Sequence, residues 1–124
     1  MKTGEVGRLG ETLAAKYLES KGYTVRERNY RTGHLELDLI CEDALRLIFV
    51  EVKTRIDTGA PSRLGRPARA VDARKRQHLT DAAEAYLRAH PSAKRKRIDV
   101  IEVCLYPDGS LMQGGIRHIE NALL

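Results

Sequence analysis

The chain reads as an α/β domain with a mixed central sheet flanked by helices, in the order α-β-β-β-α-β-β. Three observations support this. Two segments repeat apolar residues at the 3.6-residue helical period, and five shorter ones carry strand-like patterns. One of those five is apolar on both faces, the mark of a strand covered from both sides. At 124 residues the chain fits one domain, 1–124. A domain of this size buries roughly two-thirds of its unfolded surface and needs no disulfide or structural metal to fold.

The first helix spans Thr3 to Lys21, with Val6, Leu9, Leu13, Ala14, Tyr17 and Leu18 on one stripe. Gly22 is its expected C-cap. A polar first strand, Tyr23 to Tyr30, belongs at a sheet edge. Leu35 to Cys41 and Leu45 to Thr54 are the second and third strands, and the Glu42-Asp43-Ala44 connection suits a hairpin. The third, with Leu47-Ile48-Phe49-Val50-Glu51-Val52, is the doubly covered, central one. Arg55 to Arg69 holds Gly59, Pro61, Gly65 and Pro67 and reads as a loop. Asp72 is placed to N-cap a second helix running to His90, with Leu79, Ala82, Ala83 and Tyr86 inward and Pro91 as its stop. A basic run, Lys94-Arg95-Lys96-Arg97, leads into a fourth strand, Ile98 to Tyr106. Pro107-Asp108-Gly109 is a turn, and Leu111 to Ile119 is the fifth strand.

Hydrophobic residues at 42% and charged residues at 31% suit a globular protein and argue against wholesale disorder. The net charge of +5 fits a polyanionic partner, although mild basicity also occurs in proteins without one. Cys41 and Cys104 form no CxxC pair, which speaks against zinc. Each lies in an apolar run as a free thiol, a state suited to a reducing cytoplasm. Met1 to Leu9 lacks the apolar core of a signal peptide, and no run approaches the ~20 apolar residues that span a bilayer.

Strand side chains alternate faces. His34, Glu36, Asp38 and Ile40 therefore share one face of the second strand, and Leu47, Phe49, Glu51 and Lys53 one face of the third. A regular hairpin with an even loop pairs even positions with odd ones. Asp38 and Glu51 then sit side by side, with Lys53 one step along. Two carboxylates beside an apolar core repel each other and are costly to bury. A divalent cation relieves both costs. Mg²⁺ accepts one or two carboxylates plus waters and phosphate oxygens. An ammonium such as Lys53 then positions water or stabilises developing negative charge. A plain Glu51–Lys53 or Asp38–Lys53 ion pair is the competing reading. Glu11 falls at the edge of the first helix's stripe, within reach of a sheet end or simply solvated. His34 reads as a strand-entry residue, and His78, His90 and His118 show no ligand spacing.

With these residues in place, the chain resembles the YraN-like family of small bacterial proteins. That family looks like the PD-(D/E)xK nuclease superfamily, with a restriction-endonuclease-like fold close to that of Holliday-junction resolvases. The matching stretches are Gly7-Arg8-Leu9-Gly10-Glu11, Ala14 to Tyr30 with Gly22-Tyr23, Arg28-Asn29-Tyr30-Arg31, Glu36-Leu37-Asp38-Leu39-Ile40 and Phe49-Val50-Glu51-Val52-Lys53-Thr54-Arg55. Lys75 and Asp99-Val100 complete the match. The resemblance implies that Asp38 and Glu51 hold Mg²⁺ or Mn²⁺, with the Val52 backbone carbonyl as a further ligand. It also implies that Lys53 is the catalytic lysine and that Glu11 assists. Leu35 stands where the family usually has glycine.

Three functions follow from the residues and the resemblance. The first is a metal-dependent endonuclease on DNA, including branched or damaged DNA. The second is a non-cleaving nucleic-acid-binding module, and the third a partner-binding protein with a structural acidic cluster. By analogy with resolvases, a homodimer is the corresponding assembly. Arg63, Arg66, Arg69 and Lys75 are the expected phosphate contacts, because a loop without aromatic residues reads backbone and not bases. Replacing Arg63, Arg66 and Arg69 together should flatten the dependence of DNA affinity on salt and weaken binding about equally across sequences. Affinity measured against salt on several DNAs checks this. An unchanged slope removes the loop from the interface.

Overall fold

A computed structural model describes residues 2–57 and 72–122. Its elements are α1 (Thr3–Ser20), β1 (Thr24–Thr32), β2 (Leu35–Glu42), β3 (Arg46–Ile56), α2 (Ala73–Ala89), β4 (Arg95–Leu105) and β5 (Leu111–Ile119). The expected order α-β-β-β-α-β-β holds. The strands form one sheet in the order β1-β2-β3-β4-β5, with β1 at an edge and β3 at the centre. β3 and β4 are parallel and the other neighbours antiparallel, so the sheet is mixed. A parallel pair needs a crossover connection, and the segment carrying α2 provides it.

The two helices cover opposite faces. Leu79, Ala82, Ala83 and Tyr86 of α2 pack with Leu37, Ile40, Leu47, Phe49 and Val100. Ala14, Ala15 and Leu18 of α1 pack with Leu39, Cys41, Ile48, Val50, Ile101, Val103 and Leu105. Successive β3 residues thus enter different cores, which is why that strand is apolar throughout. The buried line of α1 runs through Gly10 and Ala15 as well as the expected Ala14 and Leu18. Gly10 has a steric reason. A Cβ there would lie 2.8 Å from Thr54 Cβ, so only glycine lets α1 approach the far part of β3 so closely.

The helix ends follow their chemistry. Gly22 takes φ +94, and Tyr23 N–H bonds to Leu18 O at 3.1 Å, closing α1. Asp72 caps α2 by accepting the Lys75 N–H at 2.8 Å.

Several details differ from expectation. β3 continues to Ile56, because Arg55 and Ile56 pair with Cys104 and Leu105. β4 begins at Arg95, since its register with β3 opens at Arg46↔Arg95; the basic run lies largely within the strand. In β2, strict alternation fails at Asp38. Leu35 and Leu37 pack with the α2 core and Leu39 with the α1 core, so His34, Glu36, Asp38 and Ile40 do not form one face. Opposite this point Asn29 of β1 takes φ +51, the left-handed conformation asparagine tolerates, between the pairs Arg28↔Leu39 and Tyr30↔Leu37. Cys41 is buried and Cys104 half-buried, both as free thiols. Burial pushes the Cys41 thiol up to about 12. Residues 58–71, with most of the expected loop and with Arg63, Arg66 and Arg69, lie outside the described residues.

A buried polar cluster ties α1 to β4, β5 and the chain beyond. Asp99, fully buried, is met by Arg97 Nε at 2.8 Å, His118 Nε2 at 2.7 Å and Asn121 N–H at 2.9 Å. Tyr17 Oη lies 3.1 Å from His118 Nδ1. Burial by itself raises the Asp99 carboxyl, but the bonds from His118, Arg97 and Asn121 and the Arg97 charge outweigh it, leaving the pKa below the ordinary value. A depressed aspartate contributes stability that is present above its unfolded pKa and lost as pH falls through the folded one. Asp99→Ala should cost about 3–5 kcal/mol, since it strands a largely buried guanidinium. Its stability should also fall less steeply than that of the wild type as pH drops below about 4. Urea denaturation at neutral and acid pH checks both.

Candidate functional site

β2 and β3 pair with Leu39↔Val50 and Ile40↔Phe49, even against odd as expected. One step further the same register brings Asp38 to Glu51. Their carboxyl groups are hydrogen-bonded to each other. Asp38 Oδ2 also accepts the Val52 N–H at 2.7 Å. On a strand the N–H and C=O of one residue point to the same edge, so the Val52 carbonyl faces the Asp38 side.

The pair is largely shielded from water. Glu51 is 8% exposed, immediately beyond Phe49 on the α2 face. Burial, the bond to Glu51 and the Glu51 charge push the Asp38 carboxyl up to about 8, against the opposing Val52 N–H. At neutral pH Asp38 is therefore mostly protonated beside Glu51.

Lys75 completes this arrangement. From the first turn of α2 its Nζ lies 2.8 Å from Glu51 Oε2. Partial burial acts to lower the Lys75 pKa, but the bond to Glu51 and the charges of Glu51, Asp38 and Glu36 raise it on balance. Sequence reasoning assigned Lys75 to phosphates and offered Lys53 as the carboxylates' ion-pair partner. Among the described residues Glu51 pairs with Lys75, while Lys53 forms no salt bridge. The available signal was Asp72: as N-cap it aims the first turn of α2, and so Lys75, at the sheet.

Glu11 is coupled electrostatically to both acids of the pair. Burial raises its carboxyl, a hydrogen bond from Asn29 opposes this, and the Glu36 and Glu51 charges add to the rise. It is thus within electrostatic reach of Glu51. Among the described residues, however, no three Asp, Glu, His or Cys side chains converge on one ion-sized position. His34 sits at the turn into β2 with its ring edge-on to His78, centroids 6.1 Å apart. Leu35 packs at the rim of the α2 core and takes no place among the polar groups.

The donor set fits a hard divalent cation. Two adjacent oxygen donors repel strongly enough to retain a proton, and Mg²⁺ or Mn²⁺ commonly takes only one or two protein carboxylates and keeps waters. Val52 C=O is a third candidate donor.

The linkage has a definite sign. Asp38 has a folded pKa raised above the unfolded value, so its contribution is full at low pH and is lost as pH rises from about 4 toward 8. Metal-free protein should therefore lose stability over that window. Asp38→Asn, which keeps the shape without the charge, should flatten the loss and be more stable than wild type at pH 8 by at least about 1.4 kcal/mol. Denaturation in chelator at pH 5 and pH 8 measures it; equal slopes would show that Asp38 titrates normally.

Comparison with known proteins places the chain. The model of "Uncharacterised protein family UPF0102" matches residues 10–103. A UPF0102 protein of Chlorobium chlorochromatii is 42% identical over 122 residues, covering 97% of this chain and 92% of its own. One from Syntrophomonas wolfei is 44% identical over 119 residues, covering 95% and 96%. One from Solibacter usitatus is 50% identical over 102 residues, covering 80% and 74%. Among solved structures, SfsA of Pyrococcus furiosus in complex with Ca²⁺ aligns with 91% of this chain and 63% of its own, at 17% identity and a TM-score of 0.35. A TM-score that low carries no argument. Matched over most of its length by the family model and by these relatives, the chain belongs to the uncharacterised protein family UPF0102.

Proposed function

We propose that this protein is a metal-dependent endonuclease that hydrolyses phosphodiester bonds in DNA. The observation that carries the reading is the Asp38–Glu51 pair, two carboxyls set side by side by the β2–β3 register, with Asp38 Oδ2 on the Val52 N–H and Glu51 only 8% exposed. Such a pair is poised to exchange a proton for a divalent cation. The resemblance to PD-(D/E)xK nucleases supports the same reading, and with it a restriction-endonuclease-like fold.

In this reading Asp38, Glu51 and the Val52 carbonyl hold Mg²⁺ or Mn²⁺. When bound, the metal supplies polarisation of a phosphoryl oxygen and a water of lowered pKa. Lys53, beyond Glu51 on β3, orients that water or stabilises charge as it develops. Glu11, held by Asn29, assists from α1. Lys75 shifts from Glu51 toward a phosphate once the carboxylates are otherwise compensated, joined by Arg63, Arg66 and Arg69. DNA, branched or damaged forms included, is the proposed substrate, a homodimer the proposed assembly and the cytoplasm the proposed compartment. Among the described residues no helix is long and apolar enough to cross a membrane.

A second reading draws on one observation. Lys75 already neutralises Glu51 at 2.8 Å, as a purely structural ion pair would, and a nucleic-acid-binding module that does not cut would keep such a pair. The two readings part in one experiment. Linear, flap and four-way-junction DNA are incubated with Mg²⁺, Mn²⁺ or chelator. Cleavage should need the metal. Glu51→Ala and Asp38→Ala should abolish it, and Lys53→Met should lower it by roughly 10²-fold or more with binding retained. In chelator Glu51→Ala should unfold within a few degrees of wild type, because a pair with a half-exposed lysine contributes little. No cleavage of any DNA, together with a large loss of stability in Glu51→Ala, would establish the structural pair instead.

A further inference from the structure

Parallel pairing sets the first residues of β3 and β4 side by side, and the register puts Arg46 against Arg95. Like charges in register on neighbouring strands repel. Arg97 follows two residues on, on the same face as Arg95. With Lys96 and Asn121 these side chains line an open cleft of about 370 Å³. Among the described residues no acidic side chain lines it.

The acids nearby are engaged. Asp43 meets Arg46 at 3.4 Å and caps the hairpin by accepting the Leu45 and Arg46 N–H groups. Glu42 holds Lys94 at 3.0 Å. Asp99 and Glu120 hold Arg97, which Tyr23 Oη also meets at 3.3 Å. Among the described residues Arg95 and Lys96 are exposed and have no carboxylate partner. The cleft thus combines one guanidinium fixed in place, an exposed Arg95 without a carboxylate partner, and Lys96, whose ammonium donates to the Ser92 carbonyl and has further protons for an anion.

We propose that this cleft is a second phosphate-binding site, which takes the backbone of a nucleic-acid segment. A row of donors along an open cleft suits an extended polyanion better than a single enclosed anion. The cleft is separate from the acidic pair. Arg46 and Glu51 are five residues apart on β3, roughly 17 Å. They also face opposite ways, since Arg46 alternates with Ile48 and Val50 of the α1 core while Glu51 follows Phe49 of the α2 core. One phosphate cannot touch both, and binding in the cleft does not depend on hydrolysis at Glu51.

The test uses the full chain in chelator, so that cleavage plays no part. Anisotropy of labelled duplexes of several sequences is followed against salt for wild type, for Arg95→Ala/Lys96→Ala and for Arg8→Ala/Lys16→Ala. The last pair removes the same charge from the exposed side of α1. The cleft variant should bind every sequence more weakly, and its slope of log affinity against log salt should fall by about 1.8, or 0.9 for each lost phosphate contact. The α1 variant should keep the wild-type slope. Equal loss in both variants would reduce the effect to net charge and overturn the proposal, as would an unchanged cleft variant. Thermal shift with inorganic phosphate forms a further arm. Stabilisation by phosphate that the cleft variant loses, with its DNA binding intact, would make the cleft a small-anion site and overturn the nucleic-acid assignment. Asp38, Glu51, Lys53 and Lys75 are untouched in these variants, so failure here leaves the proposed hydrolysis standing, and absence of cleavage leaves the cleft standing.

Discussion

A carboxylate on a strand covered from both sides must be compensated, and Glu51 is such a carboxylate. The position follows from the parallel pairing of β3 with β4. That pairing requires a crossover, and the segment carrying α2 lies across the sheet as a result. α2 closes one face of β3 while α1 closes the other. Glu51 lies where the α2 core ends, shielded by Phe49 and beside Asp38. Burial and the neighbouring Glu51 make ionisation of Asp38 costly. The structure meets this with a proton on Asp38 and an ammonium beside Glu51, Lys75 on the first turn of the same crossover helix. Fold and candidate chemistry therefore rest on one element: the helix that makes the parallel pair feasible also delivers the charge that the pair's buried acid needs.

The same constraint is met differently elsewhere in the sheet. Asp99 is buried more completely than Asp38, yet its pKa is depressed where that of Asp38 is raised. Arg97, His118 and the Asn121 N–H surround it, so the ionised form is the better solvated one. One acid is tied into a finished network that joins α1, β4 and β5, and the other retains a proton that a cation could replace. The contrast separates a structural carboxylate from a candidate ligand by the partners each has, not by depth of burial.

Much of the fold was legible because periodicity is a local property. The stripe of α2, the polar edge strand and the doubly apolar strand each follow from residues close in sequence, and Asp72 marked a helix start that the structure keeps. The meeting of Asp38 with Glu51 was legible for a related reason: a tight hairpin ties register to parity. The break in β2 was less so. Asn29 lies on the neighbouring strand, and nothing local to Asp38 announces that Leu37 and Leu39 enter different cores.

By itself the sequence determined the element order, the central place of β3, the Gly22 end of α1, the Asp72 start of α2 and the pairing of two acids across a hairpin. These depend on side-chain period, turn chemistry and short loops, all set within a few residues. Only the tertiary structure decided that Lys75 and not Lys53 answers Glu51, and that Gly10 is the point where α1 meets Thr54. It also decided that Arg46 and Arg95 stand side by side and that Arg97, His118 and Asn121 enclose Asp99. Most of these contacts join segments separated by a helix or a crossover. Their geometry comes from how layers pack, and packing depends on shapes distributed over the whole chain.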